Sequence, residues 1–315
     1  MAVSGSIDAP VLGLADASGS SSDLRDCPLY GADMHAALQQ AGEFVSRARI
    51  EPYDIPQRRG ELKHLLLTRA ADSGELMLRF VLRSNESVTR IRKHLPWLRR
   101  QVPALRVVSA NLQPEHKAIL EGDTEILFDG PERLAVPINA VPLFLRPGCF
   151  WQTNDAVAAA LYQQVRDWCR EIDPPTAWDL YCGVGGFALH CADGHRRITG
   201  IESSAAAIRC ANDSRDALGD GALSFHAGDA IEYADHAADP ALLIVNPPRR
   251  GLGPRLCRRV DAMRAEWMVY SSCNAESLAT DLQQLPNWRA RRARLFDMFP
   301  HTRHYELAVL LQRRA

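Results

Sequence analysis

The chain has 315 residues, enough for two domains of ordinary size, and its 46% hydrophobic and 24% charged content excludes a disordered or fibrous protein. Net charge is −1, and no run approaches the roughly 18 uncharged apolar residues of a membrane helix. The start, Met1 to Asp8, lacks the charged-then-apolar pattern of an export signal, so a cytoplasmic protein without membrane contact is expected.

Residues 1–30 read as a short extended start and a loop, with Ser18, Gly19 and Ser22, that closes at Asp26-Cys27-Pro28 and offers few core residues. Helical spacing runs over 36–45. Segments 61–70 and 75–84 read as β-rich strands joined by an Asp72-Ser73-Gly74 turn, and 86–102 as a basic helix. Strands at 106–112 and 124–129 complete a smaller α+β domain, assigned to 1–145. Between 58 and 106, twelve Lys or Arg stand against four acids, an excess that suits either a solvated face or a surface for phosphates. Nothing in this half has catalytic spacing.

From 147 the pattern becomes a strict alternation. A helix over 154–172 puts Val157, Leu161, Val165 and Trp168 on one face. Strands at 177–181, 197–202, 223–227, 242–246 and 267–271, with helices between them, predict a parallel doubly wound α/β sheet. Two more strands, 292–298 and 305–312, are separated by too few residues for a parallel crossover and should form an antiparallel hairpin at one edge. That is the plan of the Rossmann-like methyltransferase fold that uses S-adenosylmethionine (SAM), assigned to 146–315.

Asp179-Leu180-Tyr181-Cys182-Gly183-Val184-Gly185-Gly186-Phe187 places glycines directly after the first of these strands. They serve either a tight strand-to-helix turn or the close approach of a ligand at Gly183. Glu202 ends the second strand, where a carboxylate can accept both hydrogen bonds of a ribose diol, so an adenosine-type ligand is expected. Ala188 stands where a dinucleotide-binding motif prefers glycine, which weakens the dinucleotide reading without closing it. The fourth strand runs into Asn246-Pro247-Pro248-Arg249-Arg250-Gly251, a polar residue and a rigid turn at the ligand-binding edge. An amino-methyltransferase would want an aromatic after the prolines, and Arg249 argues against one; a plain strand cap is the structural alternative.

The eight cysteines lack CxxC pairs, and disulfides are not expected. Cys169, Cys191, Cys210 and Cys257 read as buried hydrophobes. Cys273, in Ser271-Ser272-Cys273-Asn274, instead sits on the ligand-facing rim and opens a helix whose dipole should favour the thiolate. Glu306, beside His301 and His304, heads the final strand and can face the same rim, or be merely exposed. A thiolate, a carboxylate and a methyl donor together suit C5 of uracil, which needs covalent activation before it can attack a methylsulfonium. Cys273 is the expected nucleophile and Glu306 the expected base. A different class, an RNA-binding or assembly protein that keeps the fold without the chemistry, would use the same basic segment.

Phe150-Trp151-Gln152-Thr153-Asn154, residues 179–187, Gly200-Ile201-Glu202, residues 246–251, Ser272-Cys273-Asn274 and Phe296 to His301 with His304-Tyr305-Glu306 appear in one order, and over nearly the whole chain they resemble the RNA uracil-C5 methyltransferases. The resemblance implies that Gln152, Tyr181, Glu202 and Asn246 contact SAM, that Cys273 attacks the base and that Glu306 takes the proton. Within the family the likeness is greatest to the branch acting on uracil 747 of 23S rRNA, which carries Asn246 where relatives usually have aspartate and shares Asp26-Cys27-Pro28-Leu29-Tyr30. The tRNA branch is the runner-up. The partner implied is 23S rRNA, and no stable protein partner is inferred. The resemblance also implies a [4Fe-4S] cluster held by three upstream cysteines and one matching Cys27; those three are absent here, and family chains extend further upstream, so either the start codon is misplaced or an upstream piece is missing, and Cys27 is a ligand if the protein is longer and a spare thiol if not. A looped-out or single-stranded uracil is expected, met by Trp151, Phe299 or Tyr305.

Overall fold

Leu62, Leu65, Leu76, Leu78, Phe80 and Leu82 are all buried, and the two segments that carry them lie at the centre of the first sheet. The computed structural model describes residues 1–15, 21–117 and 119–314, so Ser18 and Gly19 of the expected loop lie outside the described residues. The chain divides into two compact units, Met1–Leu134 and Ala135–Ala315. In chain order the first unit contains β1 (Ala2–Gly5), β2 (Pro10–Ala15), β3 (Ser21–Asp23), α1 (Ala32–Arg47), β4 (Leu62–Arg69), β5 (Leu76–Leu82), α2 (Val88–Gln101), β6 (Leu105–Leu112) and β7 (Thr124–Leu127). They form a seven-stranded sheet in the order β3-β2-β1-β4-β5-β6-β7. Among these strands of the described residues, β5 and β6 are the parallel neighbours, and α2 is the crossover between them.

The start of the chain corrects its sequence reading. Instead of a loop with little to bury, it supplies three strands, and Val3 and Leu12 sit in the core with Phe44, Phe80 and Ile91. The segment is too short and too rich in Gly, Ser and Asp to show a strand period, and the sheet supplies the order that local propensity does not. The basic segment is also less available than its count suggests. Arg79 is buried between Glu121 and Glu125, and Arg69, Arg83, Arg90 and Arg106 each meet a carboxylate.

Two short strands, β8 (Leu134–Ala135) and β9 (Phe144–Leu145), precede α3 (Asp155–Ile172). Then follow β10 (Thr176–Leu180), α4 (Gly186–Cys191), β11 (Arg197–Glu202), α5 (Ala205–Leu218), β12 (Leu223–Ala227), α6 (Ala230–His236), β13 (Leu242–Val245), α7 (Gly253–Ala262), β14 (Trp267–Ser272), α8 (Ala275–Gln283), β15 (Trp288–Phe296) and β16 (Glu306–Arg313). The second sheet runs β12-β11-β10-β13-β14-β16-β15, with the first five strands parallel and β16 antiparallel to both neighbours. All four residues of β13 are buried, as a strand covered on both faces requires. Strand order reverses between β10 and β13, the switch point at whose carboxyl ends sheets of this kind bind their ligands.

β15 begins at Trp288, earlier than the expected 292. Arg289, Arg291, Arg292 and Arg294 lie exposed along this edge strand, and a bulge between Ala290 and Arg292 interrupts its register, so no apolar alternation marks its first half. Behind the sheet, Asp281 of α8 is buried and accepts from the Leu252 N–H at 2.7 Å, the Tyr270 hydroxyl at 2.6 Å and the Cys257 thiol at 3.4 Å. Asp281→Ala leaves those donors buried without a partner, and we expect a loss of roughly 3 kcal/mol of stability. Urea denaturation checks this: a lower midpoint at unchanged slope is the predicted result.

Candidate active site

Directly after β10 the backbone takes positive φ at Tyr181 (+63°), Gly183 (+55°) and Gly185 (+88°). A side chain at Gly183 would meet nothing within 4 Å, so packing does not demand this glycine; the turn geometry does, and it leaves an open cradle. The Gly183 N–H donates to Glu202 Oε2 at 3.3 Å. Glu202 Oε1 accepts from the Ser203 hydroxyl at 2.9 Å and the Ser204 N–H at 2.8 Å. A carboxylate offers about four acceptor positions, so this anchoring leaves capacity for a further donor.

Asp179 lies beneath the turn, fully buried. Its Oδ2 accepts from the Ala188 N–H at 3.0 Å, Oδ1 has no partner, and burial pushes its carboxyl up to about 7. Asn246 follows β13 and is half-buried, and its backbone N–H donates to Leu180 O at 3.3 Å, which sets it beside the Tyr181 turn. Gln152 is buried in the loop before α3. In the same loop Asn154 caps α3 through the Val157 N–H and donates to Met298 O at 3.3 Å, tying the loop to the segment that leads into β16. Trp151 is half-buried and donates to Asp155 Oδ1 at 3.1 Å. An open glycine cradle, an anchored carboxylate at the second strand end and an orphaned buried oxygen together fit a nucleoside with a polar amino-acid tail, such as SAM.

Antiparallel pairing sets Ser271 of β14 opposite Ala308 of β16 and Ser272 opposite Leu307, so the next position along places Cys273 across from Glu306. Glu306 is 3% exposed and accepts from the Ser271 hydroxyl at 2.7 Å; burial pushes its carboxyl up to about 7, against the hydrogen bond's downward pull. Cys273 is half-buried. Its thiol is pushed up by burial and then by the charge of Glu306, with Arg249 pulling the other way. The expectation that the helix dipole lowers this thiol is therefore corrected: removing the sulfur from water outweighs the helix end, and the resting group is a thiol beside a poised base. Asn274 caps α8 through the Glu276 N–H and donates to Arg249 O at 3.2 Å, which brings the 246–251 turn to the cysteine.

Reading the motifs leaves Ser271, Arg249 and Asp229 without roles, yet Ser271 fixes Glu306 and Arg249 is the cation that acts on Cys273. Asp229 follows β12, caps α6 through the Ile231 and Glu232 N–H groups and acts electrostatically on Tyr181. An acid directly after a third parallel strand is the signal that would have found it. Cys27 belongs to the first unit. Among the described residues no group of three or more His, Cys, Asp or Glu side chains could hold a metal, so the residues present do not fit a four-thiolate cluster, and no step below runs through one. No helix among the described residues is long and apolar enough to cross a membrane.

A family profile described as tRNA (Uracil-5-)-methyltransferase matches residues 220–314. The 23S rRNA (uracil(747)-C(5))-methyltransferase RlmC of Pectobacterium carotovorum is 50% identical over 314 residues, 99% of this chain and 84% of that protein. The enzyme of the same name from Escherichia coli K12 is 48% identical over 312 residues, 99% of this chain and 83% of its own. The crystal structure of Pyrococcus abyssi tRNA (uracil-54, C5)-methyltransferase in complex with S-adenosyl-L-homocysteine matches with a TM-score of 0.81 at 24% identity, covering 99% of this chain and 74% of that one, and shows the shared fold. With half its residues shared with the first of these enzymes along nearly all its length, the chain belongs to the family of SAM-dependent RNA uracil-C5 methyltransferases.

Proposed function

We propose that this chain methylates C5 of one uridine in 23S rRNA, at the position equivalent to 747, through a covalent adduct between Cys273 and C6 of the base. What carries the reading is the register of β14 with β16, whose continuation past Ser272 and Leu307 points Cys273 at the buried Glu306, the charge that acts on its thiol. The relatives at about half identity, named for uracil 747, support the substrate.

Gln152, Tyr181, Gly183, Glu202 and Asn246 hold SAM, which when bound supplies an electrophilic methyl group. Cys273 loses its proton to water and its sulfur adds to C6, placing the electron pair on the C5 side of the ring. C5 takes the methyl group. Glu306 then removes the C5 proton, and the returning electrons expel the Cys273 sulfur and restore the double bond. Arg249 favours the thiolate, and Ser271 holds Glu306 in place. The target base must leave its stack to meet Cys273, and Trp151, Phe299 and Tyr305 are the aromatic surfaces offered to it.

Transfer of radiolabelled methyl from SAM to a 23S rRNA fragment carrying the equivalent loop tests this, with a tRNA transcript as comparison. Label in the 23S fragment, lost when its target uridine is replaced by cytidine, is the expected result; label only in the tRNA would overturn the substrate assignment. Glu202→Ala should weaken SAM binding about 10- to 100-fold, the value of a hydrogen-bonded pair to a charged group, as read by calorimetry.

The pH profile has a definite sign. Glu306 accepts a proton only when ionised, and its carboxyl titrates at about 7. The Cys273 thiol also titrates above its ordinary range. Single-turnover release of methylated RNA from the enzyme should therefore rise with pH through neutrality, falling at least tenfold per unit on the acid side. The stability sign is opposite: with its folded pKa raised above 4.5, Glu306 favours the fold at low pH, and that contribution is lost as pH rises through about 7.

A further inference from the structure

The sulfur atoms of Cys149 and Cys210 lie 3.9 Å apart in the second unit. Cys149 is half-buried in the loop that leads to Gln152, and Cys210 is buried on α5, the helix that follows Glu202. Arg146 Nη1 contacts Cys210 Sγ at 3.9 Å and donates to Asp213 Oδ2 at 2.5 Å. Contact with Cys149 and then with Arg146 pulls the Cys210 thiol down, and either sulfur can donate to the other. Cys169 and Cys191 also face one another, but both are fully enclosed. Only the Cys149 pair combines contact, a cation and a route to solvent.

We propose that Cys149 and Cys210 are a peroxide-oxidisable dithiol whose closure to a disulfide weakens SAM binding; the effect on SAM rests on the reading of Gln152 and Glu202 as its ligands. Cys149 sulfur attacks one peroxide oxygen while its proton passes to the Cys210 thiolate. The O–O bond breaks, hydroxide leaves, and Cys149 becomes a sulfenic acid. The Cys210 sulfur then attacks Cys149 Sγ, the S–O bond breaks, and water departs with the Cys210 proton. Two thiol sulfurs are oxidised, and one peroxide is reduced to the level of water. Closure shortens the sulfur separation to about 2.05 Å, and since Cys210 is fixed in a packed helix, the Cys149 loop must move, carrying Gln152 with it.

The full chain is treated with hydrogen peroxide, alkylated, digested and mapped by mass spectrometry, and SAM binding is measured by calorimetry before and after dithiothreitol. Binding is the chosen readout because peroxide also reaches Cys273, which does not hold SAM. The expected result is a Cys149–Cys210 linkage, SAM binding about tenfold weaker, and recovery on reduction. Cys149→Ser and Cys210→Ser proteins should keep their affinity under peroxide. Preferential linkage of Cys169 to Cys191, no linkage at Cys149, or a linked protein that binds SAM like the reduced one would each overturn the proposal. Reduced protein that binds no SAM would instead count against the proposed function, while the peptide map still decides the dithiol.

Discussion

Cys273→Ser should bind SAM and fold as the parent protein does, yet lose methyl transfer on the order of 10^4-fold or more. The reasoning starts from the base. Without addition at C6, C5 of uracil lacks the electron density to displace a methyl group, and a serine hydroxyl is far harder to ionise than a thiol. Serine is close in size to cysteine, and the half-buried position tolerates it, so stability should change little. Single-turnover transfer beside calorimetric SAM titration separates the two effects. Retained transfer at a tenth of the parent rate or better would remove Cys273 from the role of nucleophile.

Glu306→Gln should fail later in the reaction, and so differently. Glutamine keeps the shape and can still accept from the Ser271 hydroxyl, but it cannot take a proton. Addition and methyl transfer should proceed, and elimination should slow by roughly 10^2- to 10^4-fold, the range for removing a positioned base. The expected product is therefore a methylated RNA still bonded to Cys273, visible as a slow band on a denaturing gel. Because burial pushes the native carboxyl up to about 7, the neutral amide also removes the penalty of ionising this site, and the variant should be no less stable than the parent at pH 8. A variant that accumulates no adduct and releases methylated RNA at the parent rate would show that another group takes the C5 proton.

Much of this site is legible in the amino-acid sequence. A glycine turn after one strand, a carboxylate after the next, an Asn-Pro-Pro turn after the fourth and a cysteine after the fifth are local patterns, and the doubly wound sheet brings such positions to one edge without further instruction. The burial of Glu306 was not legible, because a charge at the head of an apolar strand reads equally as an exposed one; register with β14 decides between them. The raised thiol of Cys273 is hidden from the sequence for a related reason. A helix start is visible in sequence, whereas the neighbouring carboxylate and the degree of burial are properties of packing. In the first unit, Val3 and Leu12 stand in short stretches broken by Gly, Ser and Asp, and only their partners across the sheet reveal them as core. The contact between Cys149 and Cys210, 61 residues apart, has no sequence signature at all.

The most direct test of the central claim uses an RNA fragment whose target uridine carries fluorine at C5. Cys273 can add and the methyl group can be transferred, but Glu306 then finds no proton to remove, so the elimination that frees the enzyme is blocked. Incubation with SAM, denaturation, digestion and mass spectrometry should yield one peptide containing Cys273 joined to a methylated fluorouridine. A methylated or unreacted RNA with no covalent protein, or a bond to any residue other than Cys273, would contradict the account.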